Sequence, residues 1–315
     1  VGHDTSSYMN WDGIKARANF ELSLEHEDIG AQVEIISNLF NAFVYYNDLP
    51  PRSIIFIYSL FTIVFWGIAV RKFNTNIAFA SLFYVLLTIY YFSLAAARQI
   101  CAAIFILLAY SYLQNSDKKK YYFFIYILIA FFIHSYSIFC ILLYPITRLK
   151  LNRRLIGLCI YLICVFFILI RIDLLTIISN YLDSDKVNMY LFYYNDDSNI
   201  ISSKAKVFFL IQYTIFYYIF CKNNAEEYTN SCDMLFLASI LLSTMMLSYN
   251  GIIGRIHYNL SIFQCVYLAK FYITNKHLLI KKDFYIYCIL IILLLYNTSQ
   301  YGLRGALTTG YYLCF

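Results

Sequence analysis

Nine apolar blocks dominate this sequence, at residues 52–70, 77–94, 99–113, 121–146, 155–178, 207–220, 234–249, 256–273 and 284–296. A helix needs ~20 apolar residues to cross a bilayer core. In hydrocarbon no water satisfies the backbone, so a spanning segment must satisfy its own N–H and C=O groups, as a helix does. The blocks therefore predict an all-α integral membrane protein, a polytopic helical bundle. Composition agrees: 61% of residues are hydrophobic and 13% charged, against ~25% charged in soluble domains. Several blocks are shorter than a bilayer crossing. They need interfacial ends, which 33 tyrosines can supply, or they are broken or re-entrant helices lining a cavity.

The polar segments set the organisation. Residues 1–51 and 180–203 are the two sizeable polar stretches, and both are expected to face outward. Residues 52–315 are expected to form one bundle. The chain starts at Val1 with a polar block, which reads as the continuation of an earlier segment. The formal net charge of +6 belongs, in a membrane protein, to inner loops rather than to nucleic-acid binding. Six of the nine cysteines lie inside apolar blocks without CxxC spacing, as small apolar filler. No phosphate-binding glycine loop and no HExxH or acidic metal motif occurs, so neither cofactor nor metal is expected.

Short basic loops orient the bundle. Arg71 and Lys72, Lys118–Lys120, Arg148–Arg154 and Lys276–Lys282 carry the lysines and arginines. If block 121–146 crosses once, the basic residues divide evenly between the two sides. If it turns back near His134, the four clusters share the inner side, as the positive-inside rule prefers. Two half-helices of ~13 residues rise only ~20 Å each, so the turn must be buried or line a wet cavity. The outer side lacks nucleotides such as ATP. Outward chemistry therefore needs a pre-activated substrate delivered by the membrane.

Ionisable residues within apolar blocks are the functional candidates. Arg98, in SLAAARQICAAIF, could fork onto a phosphate through two parallel N–H donors, or could snorkel to the interface. His134, in IAFFIHSYSIF, could be a general base or a structural histidine bonded to a neighbouring helix. Arg255, between Gly251 and Gly254 on one side and His257 on the other, would suit an anion site at a chain break, or a loop. Asp4 and Tyr8, in VGHDTSSYMNW, could hold sugar hydroxyls, though such neighbours are common surface decoration.

Taken in order, these motifs resemble those of the EpsG/Wzy-type polysaccharide polymerases: Gly2, Asp4 and Tyr8, then Asp28 two before Gly30, then Arg98 and Gln99 with small residues following. Next come Lys118–Lys120, then Phe132, His134 and Ser135, and last Arg255, Ile256 and Tyr258. The order is firmest over residues 94–145. Asp28 stands where that family usually has glutamate.

The resemblance implies a multi-pass enzyme of the bacterial inner membrane that joins undecaprenyl-pyrophosphate-linked oligosaccharide units into O-antigen, capsule or exopolysaccharide. Its partners would be those lipid-linked glycans, the bilayer and a chain-length regulator. Arg98 and Arg255 would stabilise the leaving pyrophosphate and His134 would take the acceptor proton. Asp4, Tyr8, Asp28, Gln99 and Tyr258 would bind substrate. A ligase of the same lipid-linked chains, a flippase and a membrane acyltransferase are the alternatives. A flippase would show internal repeats, which are absent.

Overall fold

The computed structural model describes residues 11–18, 33–87, 89, 96–115, 120–170, 203–222, 228–246, 252–275 and 281–297. Among them, all regular structure is helical. They form two compact units, residues 1–142 with 294–315, and residues 143–293.

In the first unit, α1 (Trp11–Ala18) and α2 (Ile35–Tyr46) precede α3 (Ser53–Lys72), α4 (Ile77–Leu86), α5 (Ala97–Asn115) and α6 (Lys120–Ile133). A 3-10 helix over Ser135–Leu142 follows. Helices α2 and α3 stop for the same reason. The N–H of Leu49 bonds the Val44 carbonyl and that of Asp48 the Tyr45 carbonyl. Thr75 to Val70 and Asn74 to Arg71 repeat the pattern. Asp48 (φ 49°) and Asn74 (φ 55°) supply the left-handed residue this cap needs. Helix α3 is apolar on all sides, as a lipid-immersed helix should be, and Arg71 and Lys72 close it, where the helix dipole favours cations.

Helix α5 is the centre of this unit, buried at every residue from Gln99 to Tyr110. Helices α3 and α6 pack against it. Cys101, Ala102, Ala103 and Ala109 keep its surface low, so neighbouring backbones approach closely.

The break expected near His134 is present. Helix α6 ends at Ile133, and the 3-10 helix begins at Ser135. The chain also reverses there. His134 sits beside the group that binds Arg98, at the start of α5. Six residues later, the Cys140 carbonyl accepts a bond from the Tyr110 hydroxyl at 2.6 Å. Tyr110 lies about 18 Å further along α5, against Phe123 at the start of α6. The 3-10 helix therefore runs back alongside α6.

The second unit holds α7 (Leu143–Ile146), α8 (Arg153–Leu169), α9 (Ser203–Lys222), α10 (Ser231–Met246), α11 (Ile252–Asn275) and most of α12 (Lys281–Asn297). Arg153, counted above among the cations of the short basic loops, is 2% exposed. It pairs with Asp233 and bonds the Phe220 carbonyl. Asp233 also exchanges bonds with Asn230: its N–H donates to Asn230 Oδ1 at 3.0 Å, and its carboxylate accepts from the Asn230 N–H at 2.8 Å. That reciprocal pair caps the N-terminus of α10. Helices α8 and α9 meet at Gly157, where an added Cβ would lie 2.7 Å from the buried Phe220 ring. Gly157→Ala should therefore cost ~1–3 kcal/mol, read as a lower unfolding temperature of the detergent-solubilised protein.

Helices Ser53–Lys72 and Ala97–Gln114 are long and apolar enough to cross a bilayer, with mean hydropathy of 2.2 and 1.2. Among the described residues, six further apolar helical stretches run 10–17 residues, from Ile77–Leu86 to Tyr285–Tyr296. The expectation that some blocks are broken helices is met at block 121–146, which is cut at His134, and block 77–94 opens with a helix over Ile77–Leu86.

Candidate functional site

Glu34 gathers the polar chemistry of the first unit. It stands immediately before α2, whose apolar residues Ile36, Phe40 and Val44 share a face at helical spacing. An acidic side chain at that position also complements the positive end of the helix dipole. Glu34 is 4% exposed, and a carboxylate at that depth requires partners.

Three elements supply them. Helix α5 brings Arg98 in its first turn, and Arg98 Nη1 pairs with Glu34 Oε2. The break after α6 brings His134, whose Nδ1 lies 3.1 Å from Glu34 Oε1. The first residue of the 3-10 helix, Ser135, donates its backbone N–H at 3.0 Å and its hydroxyl at 3.2 Å to the same oxygen. Both carboxylate oxygens are thereby engaged. The Ser135 N–H is one of the amides a helix start leaves without an intrahelical partner. The break at His134 thus creates a donor as well as placing a side chain.

The electrostatics follow from this arrangement. Burial alone would raise the Glu34 pKa. The Arg98 charge, the His134 bond and charge and the Ser135 N–H outweigh it and lower the group from 4.5 to about 2. An ionised carboxylate can only accept hydrogen bonds. His134 Nδ1 must then carry the proton it shares with Glu34, and in the neutral ring the basic lone pair sits on Nε2.

Arg98 and His134, proposed from sequence on separate grounds, are brought together by a residue the sequence reading did not select. That reading placed the acid at Asp28. Glu34 was legible as a lone carboxylate opening an amphipathic run, the N-terminal signal of a helix. Gln99 is buried next to Arg98 on α5.

Asp4, Tyr8 and Asp28 lie outside the described residues. Arg255 and Tyr258 lie on α11 in the second unit, and their side chains are outside the described set. The chain break expected around Gly251–Arg255 falls partly on residues 247–251, which lie outside the described residues; Arg255 itself sits near the first turn of α11, which runs from Ile252 to Asn275. Among the described residues no group of three or more His, Cys, Asp or Glu side chains is placed to hold a metal ion.

A model of the EpsG family matches residues 1–306. No curated protein and no solved structure matches the chain.

Proposed function

Since the chain belongs to the EpsG family, a polysaccharide-polymerase-like family, we propose that it is a membrane glycosyltransferase joining undecaprenyl-pyrophosphate-linked repeat units on the outer face of the inner membrane. The product would be O-antigen, capsule or exopolysaccharide. The observation that carries this reading is the Glu34 carboxylate holding Arg98 on one oxygen and His134 on the other.

Each residue then has a task. The acceptor hydroxyl attacks the anomeric carbon of the donor sugar. The bond from that carbon to the pyrophosphate oxygen breaks, and the lipid pyrophosphate leaves. His134 Nε2 takes the hydroxyl proton. Glu34 is the positioning residue that fixes the ring and its tautomer, as the carboxylate of a catalytic triad does. Arg98 stabilises negative charge growing on the leaving group. Its bond to Glu34 takes one of five N–H donors and aims the planar fork. Arg255 is proposed as a second cation toward the pyrophosphate. Asp4, Tyr8, Asp28, Gln99 and Tyr258 are proposed to hold the sugars, and a chain-length regulator is a proposed partner. Lys118–Lys120 and the Arg148–Arg154 loop are proposed to lie on the cytoplasmic side.

In vitro polymerisation by His134→Gln at matched protein concentration tests the reading. Glutamine keeps hydrogen-bonding capacity but cannot act as a base, so turnover should fall ~10²–10⁴-fold. Near-normal turnover would remove His134 from the chemistry. Glycan patterns after gene deletion separate the alternatives. A polymerase mutant retains single attached units, a ligase mutant attaches none, and a flippase mutant accumulates units on the inner face.

A further inference from the structure

The two faces of α2 are turned the wrong way for a helix in water. Its polar residues Ser37, Asn38 and Asn41 are buried. Its apolar Ile35, Leu39, Phe43 and Tyr46 are exposed, Leu39 at 61%. Those four positions follow helical spacing and so lie along one face. A helix at a protein–water boundary does the reverse, burying its apolar stripe and solvating its polar one. No residue from Ile35 to Tyr46 is charged. The inward polar groups are provided for. The Ser37 and Tyr58 hydroxyls bond at 2.6 Å, and Asn41 Nδ2 donates to the Ser37 carbonyl at 2.7 Å.

Neighbouring helices fix the depth of this face. Helix α3 is long and apolar enough to cross a bilayer. Its Tyr58 lies five residues from the Ser53 end, about 8 Å along the axis. Tyr58 meets Ser37 and also the Phe40 ring, at 5.5 Å between centroids. Helix α5 runs parallel to α3: Phe105 packs on Phe65 at 4.6 Å, and Lys72 lies over the Tyr112 ring at 3.9 Å. Both pairs share one offset along the chain, and it sets Arg98 at the level of Tyr58. Arg98 in turn binds Glu34, which immediately precedes α2. The first turns of α2 therefore lie within the apolar length of α3. From Tyr46 the chain returns to α3 through a turn whose Asn47, Asp48 and Pro50 are exposed. Tyr45 and Tyr46 end α2 beside that turn, as tyrosines edge a bilayer.

We propose that α2 is inserted in the bilayer leaflet at the Ser53 end of α3, with its exposed stripe packed against lipid acyl chains. In hydrocarbon the favourable arrangement is the one observed, with polar groups bonded inward and apolar groups outward. Helix α3 presents the same kind of outward surface through Phe56, Leu60, Ile63 and Val64. At 12 residues, or ~18 Å, α2 enters the bilayer without crossing it. Residues 35–46 thereby depart from the outward-facing polar stretch expected of residues 1–51. The inference rests on the membrane reading of α3 and not on the catalytic assignment.

The test places p-benzoylphenylalanine singly at Leu39, Phe43 and Ile63 of the full chain in phosphatidylcholine proteoliposomes. After irradiation, intact mass spectrometry reads the adduct, and fragmentation locates it on the lipid. Ile63, 70% exposed on α3, is the reference for hydrocarbon. Leu39 and Phe43 should each gain the mass of one phospholipid, attached through an acyl chain, as Ile63 does. The Phe43 variant exchanges one exposed aromatic ring for another, so it should fold even where the Leu39 variant does not. Four results overturn the proposal. Leu39 and Phe43 unlabelled while Ile63 is labelled would put α2 in water. Attachment through the headgroup alone would put it on the bilayer surface. A crosslinked pair of chains would make the stripe an interface between copies. Ile63 itself unlabelled would remove α3 from the bilayer. None of these readouts depends on turnover, so His134→Gln still decides the catalytic reading separately.

Discussion

Glu34→Gln should lower polymer formation by ~10²–10⁴-fold, although the side chain need not touch substrate. The amide has nearly the shape of the carboxylate but presents an NH₂ group to Arg98 or to His134, donor against donor. It also releases the constraint that keeps the proton on His134 Nδ1. Because Glu34 and Arg98 are both largely buried, with side chains 5% and 11% exposed, losing one charge should also cost ~3–5 kcal/mol of stability. The two effects separate experimentally. Turnover per folded molecule, measured at a temperature where the variant is intact, should still be low. If that turnover equals wild type, Glu34 only supports the fold and the positioning role is withdrawn.

The same carboxylate makes a pH prediction. Its folded-state pKa is lowered, so the stability it contributes is fully present above 4.5 and is lost as pH falls through about 2. Glu34 therefore stays ionised throughout pH 5–8. Any acid limb in the activity profile within that window must come from another group, with His134 the first candidate. His134→Gln should remove that limb along with most of the activity, and an unchanged limb in the residual activity would clear His134 of it.

The largest effect on folding should come from Asp233→Ala in the second unit. This substitution strands the Arg153 guanidinium, 2% exposed, without its carboxylate. It also removes the acceptor of the Tyr267 hydroxyl, at 3.0 Å, and the reciprocal cap with Asn230. Breaking a buried pair costs ~3–5 kcal/mol and losing a cap ~1 kcal/mol. Together these approach the whole stability of many domains, ~5–15 kcal/mol. The yield of folded, monodisperse protein in detergent should collapse. Arg153→Met/Asp233→Leu should recover much of it, because replacing both charges by apolar groups leaves neither one stranded. If Asp233→Ala melts together with wild type, the pair has no structural weight.

What could be read along the chain was what is decided along the chain. Helix formation depends on hydrogen bonds four residues apart, so apolar blocks and their ends report it directly. The helical class, the interruption of block 121–146 at His134, and Arg98 and His134 as residues that apolar surroundings should exclude were all legible in this way. The motif order was legible too, because it pointed to the family whose model covers residues 1–306. Pairing was not. Glu34 meets Arg98 across 64 positions and His134 across 100, and Arg153 meets Asp233 across 80. No local pattern encodes such distances. A carboxylate ahead of an amphipathic helix, and an arginine in a basic loop, look the same whether solvated or buried. Only the packing of α2 against α6, and of α8 against α10, removed the water from these charges and so determined which partners they had to find.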